Sequence, residues 1–174
     1  MLAEVNGHPP RRPVSASAKV AQTIAREPVP GRFEGFGIAF LYPDSWTLES
    51  DSDATTVSVE SPEGAFFTVT RFENTVDADT AIERGVSAMR QEYDEVENEV
   101  LDKTLAGLRL EGSLLRFVFL DLIIASQLLA IAHGGGTYLV QIQAEDRDHE
   151  RLLPVFDAML TSLCQHLAGN DSIP

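Results

Sequence analysis

Two ionisable side chains within the most apolar part of the chain, Asp121 and His133, are its first candidates for acid–base chemistry. A carboxyl group among apolar residues has a raised pKa and can act as a general base. His133 precedes Gly134-Gly135-Gly136, so its imidazole could lie at the mouth of a binding loop. A turn position is the simpler interpretation of each residue.

Two short motifs begin like metal-binding motifs but lack the later residues that such motifs require. Asp51-Ser52-Asp53 matches the first ligands of a calcium loop, but the sixth position is not glycine and Pro62 replaces the closing glutamate. His149-Glu150 begins like a zincin helix, but Leu153 stands where the second histidine is required.

A third possible cation site is a set of alternating acidic residues: Glu95, Glu97, Glu99 and Asp102. Carboxylates bind Ca²⁺, but charge on one parity of a strand is also the pattern of a solvated sheet edge. The edge is the simpler interpretation. We therefore expect no metal and no cofactor.

Nucleophilic catalysis has no recognisable motif in this chain. The sequence contains neither a Gly-x-Ser-x-Gly elbow nor a glycine loop of the kind that binds phosphates. Cys164, the only cysteine, falls at the apolar spacing of the last predicted helix, which is typical of a small core residue and not of a reactive thiolate.

Aromatic residues near a predicted turn are candidates for binding. Tyr42 and Trp46 flank Pro43-Asp44 and could form a recognition patch, although packing in the core is the simpler role for Trp46. Tyr42, Trp46 and His133 are our candidate binding residues.

The distribution of charge restricts the class of partner. The 174-residue chain has a net charge of −14; residues 1–32 contain five basic and two acidic residues and so carry +3, which leaves −17 for the rest. Such a surface repels phosphate backbones and anionic lipids. We expect a protein partner and no nucleic acid; the sequence indicates no oligomeric state.

Composition predicts one domain, because 44% of the residues are hydrophobic and the length suits a single core. We place it at residues 33–167, between a proline-containing basic arm (1–32), expected to be disordered or loosely ordered, and a short tail (168–174). No stretch has the about 20 uninterrupted apolar residues of a membrane span. The first residues lack the apolar core of a signal peptide, and one cysteine fits a reducing compartment, so we expect a cytoplasmic location.

Residues 114–144 predict the centre of a β-sheet. Leu115 to Leu120 is apolar on both parities, as in a strand covered on both faces. The glycines at 134–136 predict a hairpin that pairs Ile131 with Tyr138 and Leu129 with Val140. Asp121 is the only charged residue between Phe117 and Ala132, so we place a second turn near residues 121–123.

Earlier strands and two helices complete the predicted fold. Alternation predicts one hairpin around Pro43-Asp44 and another around Ser61-Pro62-Glu63-Gly64. An apolar stripe from Ala78 to Tyr93 predicts a helix capped by Asp77 or Asp79, in which Gly85 marks a close contact with the sheet. Helical spacing from about Asp148 to Leu167 predicts the last helix. Because Pro154 is expected only in a first turn, that helix could begin nearer Leu153.

The order of these elements resembles the PsbP-like superfamily, including bacterial DcrB-like domains of unknown function. The matching pieces cover most of residues 33–164: Phe36-Gly37-Ile38-Ala39-Phe40, Tyr42-Pro43-Asp44-Ser45-Trp46, Ser61-Pro62-Glu63-Gly64, Gly107, Gly136-Thr137-Tyr138 and Phe156 to Leu163. The resemblance implies an α+β fold in which helices flank both faces of a mostly antiparallel sheet.

The superfamily is made up of non-catalytic adaptors, accessory subunits and chaperones without a shared catalytic motif. The resemblance therefore implies a non-catalytic binding, adaptor or chaperone-like module. The alternative is a small-molecule hydrolase or isomerase that uses Asp121 or His133 in a pocket between sheet and helix.

Overall fold

A computed structural model describes residues 29–50 and 55–170. In chain order the elements are β1 (Gly31–Gly35), β2 (Ile38–Tyr42), β3 (Thr47–Ser50), β4 (Thr56–Glu60), β5 (Phe66–Phe72), α1 (Ala78–Glu92), β6 (Glu97–Leu105), β7 (Leu108–Phe119), β8 (Leu122–His133), β9 (Gly136–Glu145) and α2 (Asp146–Asn170).

The limits of the folded part differ by a few residues from those predicted. β1 begins at Gly31 and not at residue 33, and α2 continues to Asn170, past the predicted end at residue 167. Most of the predicted arm (residues 1–28), the end of the tail (171–174) and the Asp51-Ser52-Asp53 motif lie outside the described residues.

Seven strands form one antiparallel sheet in the order β3-β4-β5-β9-β8-β7-β6, and β1 pairs with β2 separately. The predicted hairpin register is confirmed, because Ile131 lies opposite Tyr138 and Leu129 opposite Val140. Gly134 and Gly135 form the turn with φ of +59° and +74°. Glycine reaches such angles without strain, which is why it suits this two-residue hairpin turn.

The two helices pack on opposite faces of this sheet. Leu128 of β8 belongs to a buried cluster with Val86 and Met89 of α1. The next residue, Leu129, belongs to a larger cluster with Phe156 of α2. Successive side chains of a strand point to opposite faces, so each helix covers one face. The predicted α+β architecture, with helices on both faces of an antiparallel sheet, is confirmed.

The first helix begins and packs as predicted. Of the two candidate caps, Asp77 is the one used: its Oδ1 accepts a hydrogen bond from the backbone N–H of Thr80 at 2.8 Å. Hydrogen bonding with the side chain of Thr80, and secondly with its backbone N–H, lowers the pKa of the Asp77 carboxyl group. A Cβ on Gly85 would lie 2.9 Å from Cδ1 of Leu128. Glycine at this position therefore allows the helix to approach the sheet closely.

The predicted hairpin around Pro43-Asp44 is wrong. The turn exists, since the backbone N–H of Trp46 donates to the carbonyl of Pro43 at 3.0 Å, but the strands on its two sides belong to different sheets. β2 pairs with β1 and packs on α2, where the N–H of Leu41 donates to Oγ of Ser162 at 3.0 Å. Burial of Ile38 and Phe40 against the α2 side of the core outweighs local pairing with β3.

The predicted start of the last helix near Leu153 is also wrong, because α2 begins at Asp146 and Pro154 lies inside it. Proline removes the hydrogen bond to the carbonyl of Glu150. Both Glu150 and Pro154 are exposed, so water can solvate that carbonyl. The buried residues on the other side of the helix, such as Phe156 and Leu160, stabilise it through the interruption.

Candidate functional site: an apolar hairpin tip beside an acidic groove

The end of the β7–β8 hairpin is an exposed apolar surface. Its five members, which we call the β7–β8 tip, are between 42% and 77% exposed: Val118, Phe119, Leu120, Leu122 and Ile123. Isolated exposed apolar residues are common, whereas a contiguous group indicates an interaction site. This group is continuous in sequence apart from Asp121.

The tip extends beyond its neighbouring strands. β6 begins at Glu97, opposite Arg116, so the last three residues of β7 have no strand on that side within the described chain. β9 ends at Glu145, opposite Ile124, so Leu122 and Ile123 likewise have none on the other side. The hairpin therefore projects from the sheet as a two-stranded ribbon.

Both faces of this ribbon are apolar. Phe119 lies opposite Leu122, and Val118 lies opposite Ile123. Because side chains alternate, the first pair shares the α1 face with Phe117, and the second pair faces the other way. The Phe119 ring meets the Tyr93 ring edge-on at 5.8 Å, which partly covers one face.

The turn at the end of the ribbon has an unusual sequence. Leu120 and Asp121 have φ of +48° and +63°. Turns of this class favour Asn or Gly, and the left-handed conformation costs other L-residues about 1–2 kcal/mol. The equivalent two-residue turns of this sheet, Ala106-Gly107 and Gly134-Gly135, contain glycine. Leucine at position 120 is therefore unfavourable for the turn, and its side chain is 77% exposed. It does not stabilise the isolated protein through either the turn or the core.

A groove of about 800 Å³ lies beside the tip, in the notch left where β6 begins. Its floor is apolar, because the Tyr93 and Phe117 rings stack there with centroids 4.1 Å apart. The groove also includes Val118 and Ile123 of the tip, which point to the opposite face of the ribbon. Its rim carries five carboxylates, those of Glu92, Asp94, Glu95, Glu97 and Asp146. We call these residues together the acidic groove.

Among the described residues, Arg116 is the one cationic side chain that lines the groove, and it is already paired. Its Nε contacts the carboxylate of Asp146 at 3.1 Å and its Nη1 contacts Glu99 at 3.5 Å. Burial and the charge of Glu92 raise the pKa of Tyr93, so its hydroxyl remains protonated at neutral pH. The groove therefore offers several carboxylate acceptors, a phenol and an apolar floor to a cation-bearing ligand.

The three predicted binding residues lie in separate places. Tyr42 lines a mostly apolar groove of about 300 Å³ between β2 and α2. Trp46 is buried edge-on against Phe156, with ring centroids 5.6 Å apart. His133 lines an open depression of about 420 Å³ beside the glycine turn. The structure does not bring them together, and their roles in binding stay predictions.

The two predicted acid–base residues are also far apart. Asp121 precedes β8 and His133 ends it. At about 3.4 Å per residue the two Cα atoms are separated by roughly 40 Å. A single pocket cannot contain both.

Two of the four acidic residues predicted as a possible cation site form ion pairs on the sheet edge. Asp102 pairs with Arg109 at 2.8 Å, and Glu99 pairs with Arg116. Among residues 29–50 and 55–170 no cluster of three or more His, Cys, Asp or Glu side chains is close enough to hold a metal ion.

A buried polar pair was not predicted from the sequence. His149 of α2 is 6% exposed, and its Nε2 lies 3.1 Å from Nε2 of Gln127 on β8. Burial lowers the pKa of His149, opposed by the charge of Asp146. The sequence feature that could have indicated the burial of His149 is its spacing: it stands three residues before the buried Leu152 and therefore lies on the same helical face. Cys164 is fully buried, as predicted, and burial raises the pKa of its thiol to about 11.

Comparison with known proteins identifies the fold. No known family profile and no curated protein sequence matches the chain. Among solved structures, cyanobacterial PsbP (CyanoP) from Synechocystis sp. PCC 6803 superposes with a TM-score of 0.58 and 14% identity, covering 80% of this chain and 94% of that one. The chain has a PsbP-like fold.

A second structural neighbour is a protein of unknown function, PA94 from Pseudomonas aeruginosa. It superposes with a TM-score of 0.52 and 12% identity, covering 77% of this chain and 95% of that one. Identities this low establish the fold alone. The closer resemblance to DcrB-like domains stays a prediction. Across the described residues, no helix has the length and hydropathy needed to cross a bilayer.

Proposed function

We propose that this protein is a non-catalytic binding module that engages a protein partner through the β7–β8 tip. The observation that carries the proposal is Leu120, an exposed apolar side chain held in a left-handed turn. The projecting ribbon supports it, since it exposes apolar side chains on both of its faces beyond the ends of the neighbouring strands.

The surroundings of the tip favour a protein over a membrane. Apolar residues on a projecting hairpin could in principle enter a bilayer. The rim beside them is acidic, however, and anionic headgroups would be repelled by it. A protein surface with apolar pockets does not meet that repulsion.

Site-specific cross-linking in the native host tests this function. A photoreactive amino acid at Leu120 is expected to give one discrete adduct with a protein. Excess unlabelled wild-type protein is expected to suppress this adduct, whereas excess of the tip variant Leu120→Asn with Ile123→Thr is not. The same photoreactive residue at Ser87, exposed on α1, is the matched control. Adducts equally abundant at both positions, or lipid adducts at Leu120, would contradict the proposal.

We further propose that the protein acts in the cytoplasm. A single buried cysteine that forms no disulfide suits a reducing compartment. Fractionation of cells that express the chain with a C-terminal epitope tag tests this, and recovery of the protein outside the cytoplasm would contradict it.

A further inference from the structure

The acidic groove combines two properties that define the chemistry of its occupant. Its floor of aromatic side chains is apolar, and the groove also includes two residues of the tip. Its rim carries five carboxylates against one arginine, and that arginine is engaged by Asp146 and Glu99. In the described part of the chain Asp94, Glu95 and Glu97 form no ion pair. An occupant with both apolar and cationic side chains satisfies the floor and the rim together.

We propose that residues 11–26 of this same chain occupy the acidic groove. The segment contains Arg11, Arg12, Lys19 and Arg26 and no acidic residue, so its charge is opposite to that of the rim. Val14, Val20 and Ile24 supply apolar side chains for the floor. Its charge of +4 contrasts with the net charge of −14 of the whole chain.

The length of the connecting chain permits this contact. Pro30 lines one groove together with Val155 and Ser162 of α2, while Asp146, at the start of the same helix, lines the acidic groove. At 1.5 Å per residue these positions are about 14–24 Å apart. Lys19 stands eleven positions before Pro30, and that length of chain can span up to about 36 Å.

Covalent attachment makes even a weak contact effective. A segment tethered by a short flexible linker experiences an effective concentration in the millimolar range. Occupation would cover Val118 and Ile123, which belong to both the groove and the tip. The segment would then compete with the partner for part of its surface. That regulatory consequence rests on the proposed function, whereas the docking itself does not.

Paramagnetic relaxation enhancement in the full-length chain tests the docking. A nitroxide is attached to Ser15→Cys; Cys164 is fully buried and stays unlabelled. The amide signals of residues 92–97 and 116–118 are expected to broaden at low ionic strength. They are expected to recover at about 1 M NaCl, where the screening length falls to about 3 Å.

Charge reversal locates the contact. Glu95→Lys with Glu97→Lys is expected to abolish the broadening, and adding Arg11→Glu with Arg12→Glu is expected to restore it. Glu63→Lys with Glu83→Lys makes the same change in net charge away from the groove and is expected to have no effect. The proposal would be overturned if no signals broaden, or if broadening spreads over the whole acidic surface. It would also be overturned if the two charge-reversed double variants lose the broadening equally.

The docking of residues 11–26 and the proposed function of the tip can fail independently of each other. Equal broadening in a mixture of nitroxide-labelled and ¹⁵N-labelled chains would show contact between molecules and overturn docking within one chain. If docking fails, the cross-linking result at Leu120 stands unchanged, because Leu120 is not part of the groove.

Discussion

Leu120 shows how one side chain can be unfavourable for folding and still be retained. Its backbone occupies the left-handed region, with φ of +48°, and its side chain is exposed. Neither the turn nor the core gains from a leucine there. An interface would gain, because a large apolar side chain at the end of a rigid ribbon can insert into a pocket at little entropic cost.

Replacement of Leu120 by asparagine is expected to stabilise the isolated protein by up to about 1 kcal/mol, since asparagine tolerates the left-handed region. Urea unfolding at equilibrium measures the change. Leu122→Asn, in extended backbone at the start of β8, serves as the control and is expected to give no gain. A destabilised Leu120→Asn protein would mean that the turn depends on leucine for its own fold.

His149 is expected to make stability depend on pH. Burial lowers its pKa below the ordinary value of 6.5, so the folded state resists a proton that the unfolded state accepts. The penalty is absent above the unfolded pKa and grows as the pH falls from about 6.5 towards the lower folded pKa.

A His149→Gln variant should therefore lose less stability than the wild type between about pH 7 and pH 5, near and below the ordinary histidine pKa. Thermal melts at several pH values measure the difference, with each protein compared with itself near pH 8. Identical pH profiles for the two proteins would show that His149 does not titrate differently on unfolding.

Among the elements, β7 and β8 leave no room for a side chain at Gly112. Gly112 of β7 lies opposite Leu129, and a Cβ there would overlap the backbone carbonyl oxygen of Leu128. Glycine is required at this position by space and not by its torsion angles. The same pairing holds the base of the ribbon that carries the tip.

Gly112→Ala is expected to destabilise the protein by about 1–3 kcal/mol, because the backbone of β8 must shift. Gly169→Ala is the matched control: it lies in α2 with no neighbour within 4 Å and is expected to stabilise by up to about 1 kcal/mol. Denaturant midpoints of both variants measure the two effects. A Gly112→Ala protein with unchanged stability would contradict the overlap inferred between a Cβ at position 112 and the carbonyl oxygen of Leu128.

On the scale of the whole molecule, charge opposes compactness. The chain carries −14, and the groove concentrates part of that charge on one side of the sheet. Like charges repel more strongly in the folded state, where they are closer together, than in the expanded chain.

Moderate NaCl is therefore expected to raise the melting temperature, because the screening length falls from about 30 Å at 0.01 M to about 8 Å at 0.15 M. Scanning calorimetry across that range measures the shift. The Glu95→Lys with Glu97→Lys protein, whose net charge is less negative, should show a smaller shift. A melting temperature that falls with added NaCl would indicate that ion pairs such as Arg116 with Asp146 outweigh the repulsion.

Local patterns were sufficient to predict much of this fold. The glycine turn and alternating strands predicted the β8–β9 register, and the apolar stripe predicted α1 with a cap at Asp77 or Asp79. The apolar run at residues 115–120 predicted a strand covered on both faces, which is wrong for its last three residues, since they are exposed. These features depend on side-chain period and on turn chemistry, which act between residues close in sequence. The buried position of Cys164 follows from the same periodicity.

Other features were decided by contacts between residues distant in sequence. β2 packs on α2 and not beside β3, and α2 continues through Pro154, because burial of a large apolar face outweighs one local turn or one missing hydrogen bond. The exposure of the tip could not be predicted from the sequence for a similar reason. Its sequence is that of a buried strand, and only the positions where β6 begins and β9 ends leave it uncovered. Sequence thus determined which residues are apolar, and tertiary structure decided which of them face solvent, since exposure depends on how far the neighbouring strands extend.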